Sequence, residues 1–177
     1  MTTFITGATG FIGRHLVAQL TTQGYPVLAL MRRPDRLPEL RARVNDLGGN
    51  GTLVSGVAGD LDLPDLGLHA DLPELRVVVH LGATFAWGLE PQDARRTNVI
   101  GALAVAQLAR RLKARLLMIS GFMLEDLGHL RRLGISLDDP DGTDWGRVYA
   151  QAGAPTRQAS SKVRCGCVPL LDCTTSI

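Results

Sequence analysis

Residues 2–17, TTFITGATGFIGRHLV, decide how the chain is read, because Gly7, Gly10 and Gly13 stand between an apolar run and a helix-like segment. Residues 3–6 are rich in β-formers and too short for a helix, so they read as a buried strand. From Phe11 onward, Phe11, Ile12, Leu16, Val17 and Leu20 recur at helical spacing, with Arg14, His15 and Gln19 on other faces. The glycines therefore lie on a strand-to-helix turn. A side chain there would block backbone approach to an anion, whereas free N–H groups and the helix dipole favour a pyrophosphate. Gly13, one turn in, lets the helix pack closely on the strand. An isolated glycine pattern marks only a tight turn; with strand and helix both present, the stretch predicts a dinucleotide site.

The rest of the chain extends this pattern. A turn at Gly24 and Pro26 leads to an apolar strand at 27–31, and Pro34, Pro38 and a charged stretch lead through 41–47 to the turn LGGNG. Residues 52–57 read as a third strand, followed by Gly59-Asp60-Leu61. A proline-punctuated connection, DLPDLGLHADLPEL, precedes a fourth strand at 77–81, then a long helix at 93–112 carrying Val99, Leu103, Val105, Ala106 and Leu108. Residues 116–119 form a fifth strand. Strands apolar on both faces, alternating with helices, predict an α/β fold: a Rossmann-like, doubly wound parallel sheet, incomplete at the C-terminus. Ligands then bind outside the carboxyl ends of the strands, where the glycine turn, Arg32-Arg33, Asp60, HLGAT (80–84) and Ser120 all fall.

Length and composition fit one globular domain: 177 residues, 45% hydrophobic and 20% charged. Nineteen basic against 17 acidic side chains is too balanced to suggest a nucleic-acid partner. Without a membrane-length apolar run or a signal-type N-terminus, a cytoplasmic protein with no membrane partner is expected. A homo-oligomer is compatible with the sequence. All three cysteines, Cys165, Cys167 and Cys173, fall in the last 13 residues. Cys-x-Cys plus one more Cys lacks a fourth ligand, so no metal site is expected.

Dinucleotide sites for NAD usually place an acidic residue after the second strand, on the ribose hydroxyls. Here Arg32 and Arg33 stand there, suited to a 2′-phosphate, and NADP is favoured; Asp35 nearby keeps NAD possible. Asp60 can accept the exocyclic amino group of an adenine with Leu61 beside the ring, or serve only its own turn. Small residues at Gly82-Ala83 leave room for the cofactor backbone. His80 reads as a packed strand-end residue rather than a catalyst.

TGATGFIG, GDL, HLGAT and TNVIGALAVAQLA stand in an order and spacing that resembles the extended short-chain dehydrogenase/reductase family, the NAD(P)-dependent epimerase/dehydratase group, over about residues 1–150. The resemblance implies that Gly7, Gly10 and Gly13 hold the pyrophosphate, with Thr9, Phe11 and Ile12 also binding the cofactor and Asp60 on the adenine, beside Leu61. Leu81, Gly82 and Ala83 would lie beside the ribose and nicotinamide. It also implies that Asn98 organises a water in a proton relay; an Asn bonding locally is the alternative. A Ser or Thr after the fifth strand would bind a small-molecule substrate, which is Ser120 unless the register places Gly121 there. Phe85, Trp87 and the stretch FMLEDLGHLRRLG (122–134) are substrate-side candidates or packing residues.

The family's Tyr-x-x-x-Lys pair, whose phenol is made more acidic by the lysine, is missing. Tyr149 is followed four residues later by Gly153, and Lys162 is preceded four residues earlier by Gln158. The codons CCT ACG AGG CAA GCA AGT TCN encode residues 155–161, and two nucleotides later the same letters read Tyr-Glu-Ala-Ser-Lys-Phe. These codons are one choice among synonyms, so the code permits this result without forcing it. The expected organisation is an NAD(P)-binding Rossmann domain at 1–154 and an aberrant, disordered tail at 155–177, out of frame through a natural frameshift or a sequencing error. An ordinary divergent tail is the alternative. The expected function is hydride transfer at a carbon bearing a hydroxyl or carbonyl, with the catalytic pair missing; a non-catalytic NADP(H) sensor or interaction protein is the rival.

Overall fold

Five strands, β1 (Thr2–Thr6), β2 (Val27–Met31), β3 (Val54–Ala58), β4 (Leu75–His80) and β5 (Arg115–Met118), lie parallel in the order β3-β2-β1-β4-β5. The computed structural model describes residues 2–69, 71–84, 90–119 and 128. The chain divides into two compact units, Met1–Ala83 with Gly101–Ile119, and Thr84–Ile100 with Ser120–Ile177. The sheet belongs to the first.

Period-2 alternation distributes the strand side chains between two cores. Ile5, Val27, Ala29, Met31 and Val79 join one cluster with Val17, Ala18, Leu40 and Val44 of helices α1 (Phe11–Thr22) and α2 (Leu37–Asp46). Phe4, Leu28, Leu30 and Val78 join the other with Val105, Leu108 and Ala109 of helix α4 (Ala102–Arg111). Helices thus cover both faces, as a doubly wound parallel sheet requires.

The connection between β3 and β4 covers its face with Leu66, Leu68 and Leu72. Asp65 and Leu66 adopt left-handed backbone, φ +49° and +61°, costing about 1–2 kcal/mol each. Burial of Leu66, 1% exposed, holds the turn.

Several local expectations shift. The buried face of α1 is Gly13, Val17, Ala18 and Thr21, while Phe11 and Ile12 are 71% and 56% exposed. Small residues let the helix approach the sheet; Val17, Leu16 and Leu20 pack into the same core, and of the marked apolar set only Phe11 and Ile12 turn outward. A helix, α2, occupies the charged stretch after β2. The third strand begins at Val54, because the Asn50 side chain accepts the Thr52 N–H and residues Gly51–Leu53 wind into a 3-10 turn. The fourth strand covers Leu75–His80, pairing from Thr2↔Leu75 to Thr6↔His80. The long helix is divided into α3 (Pro91–Arg95), a wider π-type turn (Arg96–Gly101) and α4. The fifth strand begins at Arg115, directly after the turn at Lys113 and Ala114 that ends α4. It is not apolar on two covered faces: Leu117 is 51% exposed.

Candidate functional site

The reversal of strand order falls between β1 and β4, so the crevice outside their carboxyl ends is where a ligand is expected. Gly7 leaves β1 with φ +73°, and a Cβ on it would lie 2.7 Å from the Gly82 nitrogen. A Cβ on Gly13 would lie 2.1 Å from the Gly7 oxygen. These two glycines are therefore required by packing of backbone on backbone. Gly10 differs: its Cβ would meet only the Gly7 oxygen, at 3.3 Å. Of the three, Gly10 is the one that leaves room for a ligand.

The start of α1 is arranged for an anion. Gly10 donates its N–H to the Gly7 oxygen and Arg14 donates to the Gly10 oxygen. The amides of Phe11, Ile12 and Gly13 are left as the helix's first-turn donors. Gly10 is the N-cap without a side-chain cap bond, and no acidic residue lies in the first turn. Thr9, Gly10, Phe11 and Ile12 are exposed. Arg14 stacks over the Phe11 ring, 5.4 Å from its centroid. These donors fit a pyrophosphate.

At the end of the neighbouring strand β2, Arg32 and Arg33 are exposed and join none of the ion pairs among the described residues. Arg36, one turn on, is bound to Glu39. Asp60 follows β3; one carboxylate oxygen accepts the Asp62 N–H at 3.1 Å, so it does serve its own turn. Leu61 is wedged between two backbones. Its Cδ1 would be 2.6 Å from a Cβ on Gly82, and its carbonyl oxygen 2.8 Å from a Cβ on Gly101. Gly101 is a residue that spacing did not single out; its constraint comes from a contact 40 positions away.

Buried polar groups link β1 to β4. Thr6 is fully buried and His80 5% exposed, and Thr6 Oγ1 lies 2.7 Å from His80 Nδ1. The Gly82 N–H donates to Thr6 Oγ1 at 3.2 Å, and the Leu81 N–H to the Thr6 carbonyl at 3.2 Å. Burial lowers the His80 pKa to about 4, so the ring is neutral at pH 7.

In the second unit, the buried Asn98 lies in the π-type turn and has both ends of its amide in use. Its Oδ1 accepts the Thr84 N–H at 2.7 Å and its Nδ2 donates to the Thr84 carbonyl at 2.9 Å. This is neither a bond within the helix nor a free side chain. Ser120, Gly121, Phe85, Trp87, Tyr149, Lys162 and the three cysteines lie outside the described residues, as does residue range 122–134 apart from Gly128. Among the described residues, no group of His, Cys, Asp and Glu could hold a metal ion, and no helix is long and apolar enough to cross a membrane.

Known proteins share this arrangement. The sequence profile of an NAD-binding family described as "Male sterility protein" matches residues 5–129. Ceramide reductase of Caulobacter vibrioides is 38% identical over 117 residues, covering 66% of this chain and 33% of that protein. The large subunit of L-2-aminoadipate reductase from Penicillium chrysogenum is 31% identical over 129 residues, covering 64% and 9%. The fold superposes on Gre2 of Candida albicans, solved in complex with NADPH, with a TM-score of 0.68 at 17% identity, covering 100% of this chain and 54% of that one. The chain spans a third or less of these curated relatives and about half of that structure. With the glycine turn, the strand order and the matched profile in agreement, the chain belongs to the NAD-binding male sterility protein family, an NAD(P)-binding Rossmann domain of the extended short-chain dehydrogenase/reductase and epimerase/dehydratase group.

Proposed function

We propose that the chain binds NADP(H) in preference to NAD(H) and serves an oxidoreductase acting on a hydroxyl- or carbonyl-bearing carbon of a small molecule. The observation that carries the preference is Arg32 and Arg33, two exposed cations at the end of β2 that join no ion pair among the described residues. Guanidinium groups there suit a 2′-phosphate through charge-assisted hydrogen bonds. The amides of Phe11, Ile12 and Gly13 bind the pyrophosphate, with Thr9 and Gly10 leaving space for it. Asp60 uses its remaining carboxylate oxygen at the adenine, and Leu81, Gly82 and Ala83 border the ribose. The nicotinamide, when bound, supplies the hydride acceptor or donor. Asn98 holds the Thr84 backbone in the segment that follows β4; that it also organises a water and the proton relay, and that Ser120 binds the substrate, rests on the family resemblance. A homo-oligomer is part of the same reading, with no nucleic-acid or membrane partner.

Fluorescence titration with NADPH and NADH tests the preference. Replacing both Arg32 and Arg33 by Ala is expected to weaken NADPH by about tenfold or more while leaving NADH unchanged. Equal affinities in the original chain, insensitive to both substitutions, would remove the preference.

A second reading, a non-catalytic NADP(H) sensor, is favoured by one observation: neither lysine, Lys113 nor Lys162, has a tyrosine four residues before it. Resequencing the coding DNA from the Trp145 codon to beyond that of Ile177 separates the two. A shifted frame that reads Tyr-Glu-Ala-Ser-Lys and continues with strand and helix periodicity supports residues 155–177 being out of frame and the catalytic reading. A confirmed present frame favours the sensor.

A further inference from the structure

His80 and Thr6 face each other across the β1–β4 pair, at the last register position before both chains leave the sheet. A threonine hydroxyl has one proton to donate and two lone pairs. One lone pair of Thr6 receives the Gly82 N–H. The hydroxyl's other partner is His80 Nδ1, 2.7 Å away in a buried position. The bond forms with either tautomer of the neutral ring, Nδ1 accepting the hydroxyl proton or donating to its second lone pair, and in both the hydroxyl is held between His80 and Gly82. That arrangement extends one contact further, because Gly82 nitrogen is the atom against which Gly7 packs. Gly7 in turn begins the turn that carries the first-turn amides of α1.

We propose that His80 is a positioning residue for the dinucleotide. Through its Nδ1 it fixes the Thr6 hydroxyl, which holds the Gly82 amide, and so keeps Gly7 and Gly82 at the close approach that admits the pyrophosphate and neighbouring ribose. The proposal rests on the dinucleotide reading of the site.

The test compares Thr6→Ser and His80→Asn, which keep a hydroxyl and an acceptor in place, with Thr6→Val and His80→Leu, which do not. Affinities for NADPH and for adenosine 2′-monophosphate are measured on the full chain. The monophosphate has the adenine and 2′-phosphate but no phosphate at the 5′ position, where the pyrophosphate bridge begins. The conservative pair is expected to bind NADPH within about threefold of the original chain, and the disruptive pair about tenfold more weakly. The double variant Thr6→Val/His80→Leu is expected to be no weaker than either single one. Monophosphate affinity should stay unchanged in all of them.

Equal loss for both ligands would mean a general folding defect and overturn the proposal, as would additive losses or undiminished NADPH binding by the disruptive variants. If Thr6→Val does not fold, the contrast between His80→Asn and His80→Leu decides alone. If the original chain binds no dinucleotide, the functional reading itself fails, and this inference with it.

Discussion

The glycine turn after β1 and the arginine corner after β2 stand at the ends of adjacent strands, yet they are built in opposite ways. At the turn, backbone packs on backbone: Gly13 on the Gly7 oxygen and Gly7 on the Gly82 nitrogen, with no space for a Cβ. At the corner, Arg32 and Arg33 reach outward from the sheet and are exposed. A site that recognises a pyrophosphate with main-chain amides must hold those amides still, and close packing does so. Long side chains in water recognise a phosphate without any part of the core depending on them. The turn should therefore couple binding to folding, whereas the corner should affect binding alone.

The largest effect is expected where that coupling is tightest. Gly13→Val should destabilise the fold by about 3 kcal/mol or more, because overlap with the Gly7 oxygen outweighs the roughly 1 kcal/mol of helix propensity lost by glycine. Urea denaturation measures it. Gly10→Ala, with only a 3.3 Å contact to accommodate, should unfold within about 1 kcal/mol of the original chain while losing dinucleotide binding. Equal midpoints for the Gly13 and Gly10 variants would break the comparison.

Acid should reveal the buried histidine on the turn's side. His80 has its pKa lowered from 6.5 to about 4 in the fold, so between those values the unfolded chain binds the extra proton. The stability it contributes is complete above pH 6.5 and is lost as pH falls towards 4, by at most about 3 kcal/mol. Denaturation at pH 7 and pH 4.5 should show a smaller loss in His80→Asn than in the original chain. At the corner, Ala substitutions at Arg32 and Arg33 should leave the denaturation midpoint within about 0.5 kcal/mol. A larger drop would mean that the corner is structural too.

The smallest expected effect is a gain. Lys113 closes α4 with φ +52° and is exposed. Its N–H donates to the Arg110 oxygen, and the next N–H to the Ala109 oxygen. Lys113→Gly should stabilise the chain by up to about 1 kcal/mol, measured as a higher melting temperature. Gly7, also left-handed, should tolerate no residue at all, since its neighbour leaves no room. The pair separates the cost of backbone conformation from the cost of packing.

Much of this architecture was legible in the sequence. Short runs apolar in both parities, such as 27–31, are what a strand covered on two sides must have, and they were located to the residue in β2. The glycine turn was legible because its chemistry is local: a strand, three glycines and a helix follow one another without a break from Thr2 to Thr22. Boundaries were less so where a side chain intervened. Asn50, by capping its own turn, delays β3; nothing in the apolar pattern of 52–57 encodes that bond. Asp60 was readable as a turn residue or an adenine acceptor, and the bond to Asp62 establishes the first role while leaving one oxygen for the second.

By itself the sequence determined the class of fold, the strand-to-helix glycine turn and the two arginines beside it. Those depend on the order of neighbours along the chain. The tertiary structure alone decided which face of α1 is buried, why Gly7 and Gly13 cannot be anything else, how Leu66 is held in a left-handed turn, and that Thr6 meets His80. Each of these is a contact between residues far apart in sequence, created by the parallel register of β1 with β4 and by the distance at which small residues let a helix approach the sheet. Spacing along one segment carries no record of that register.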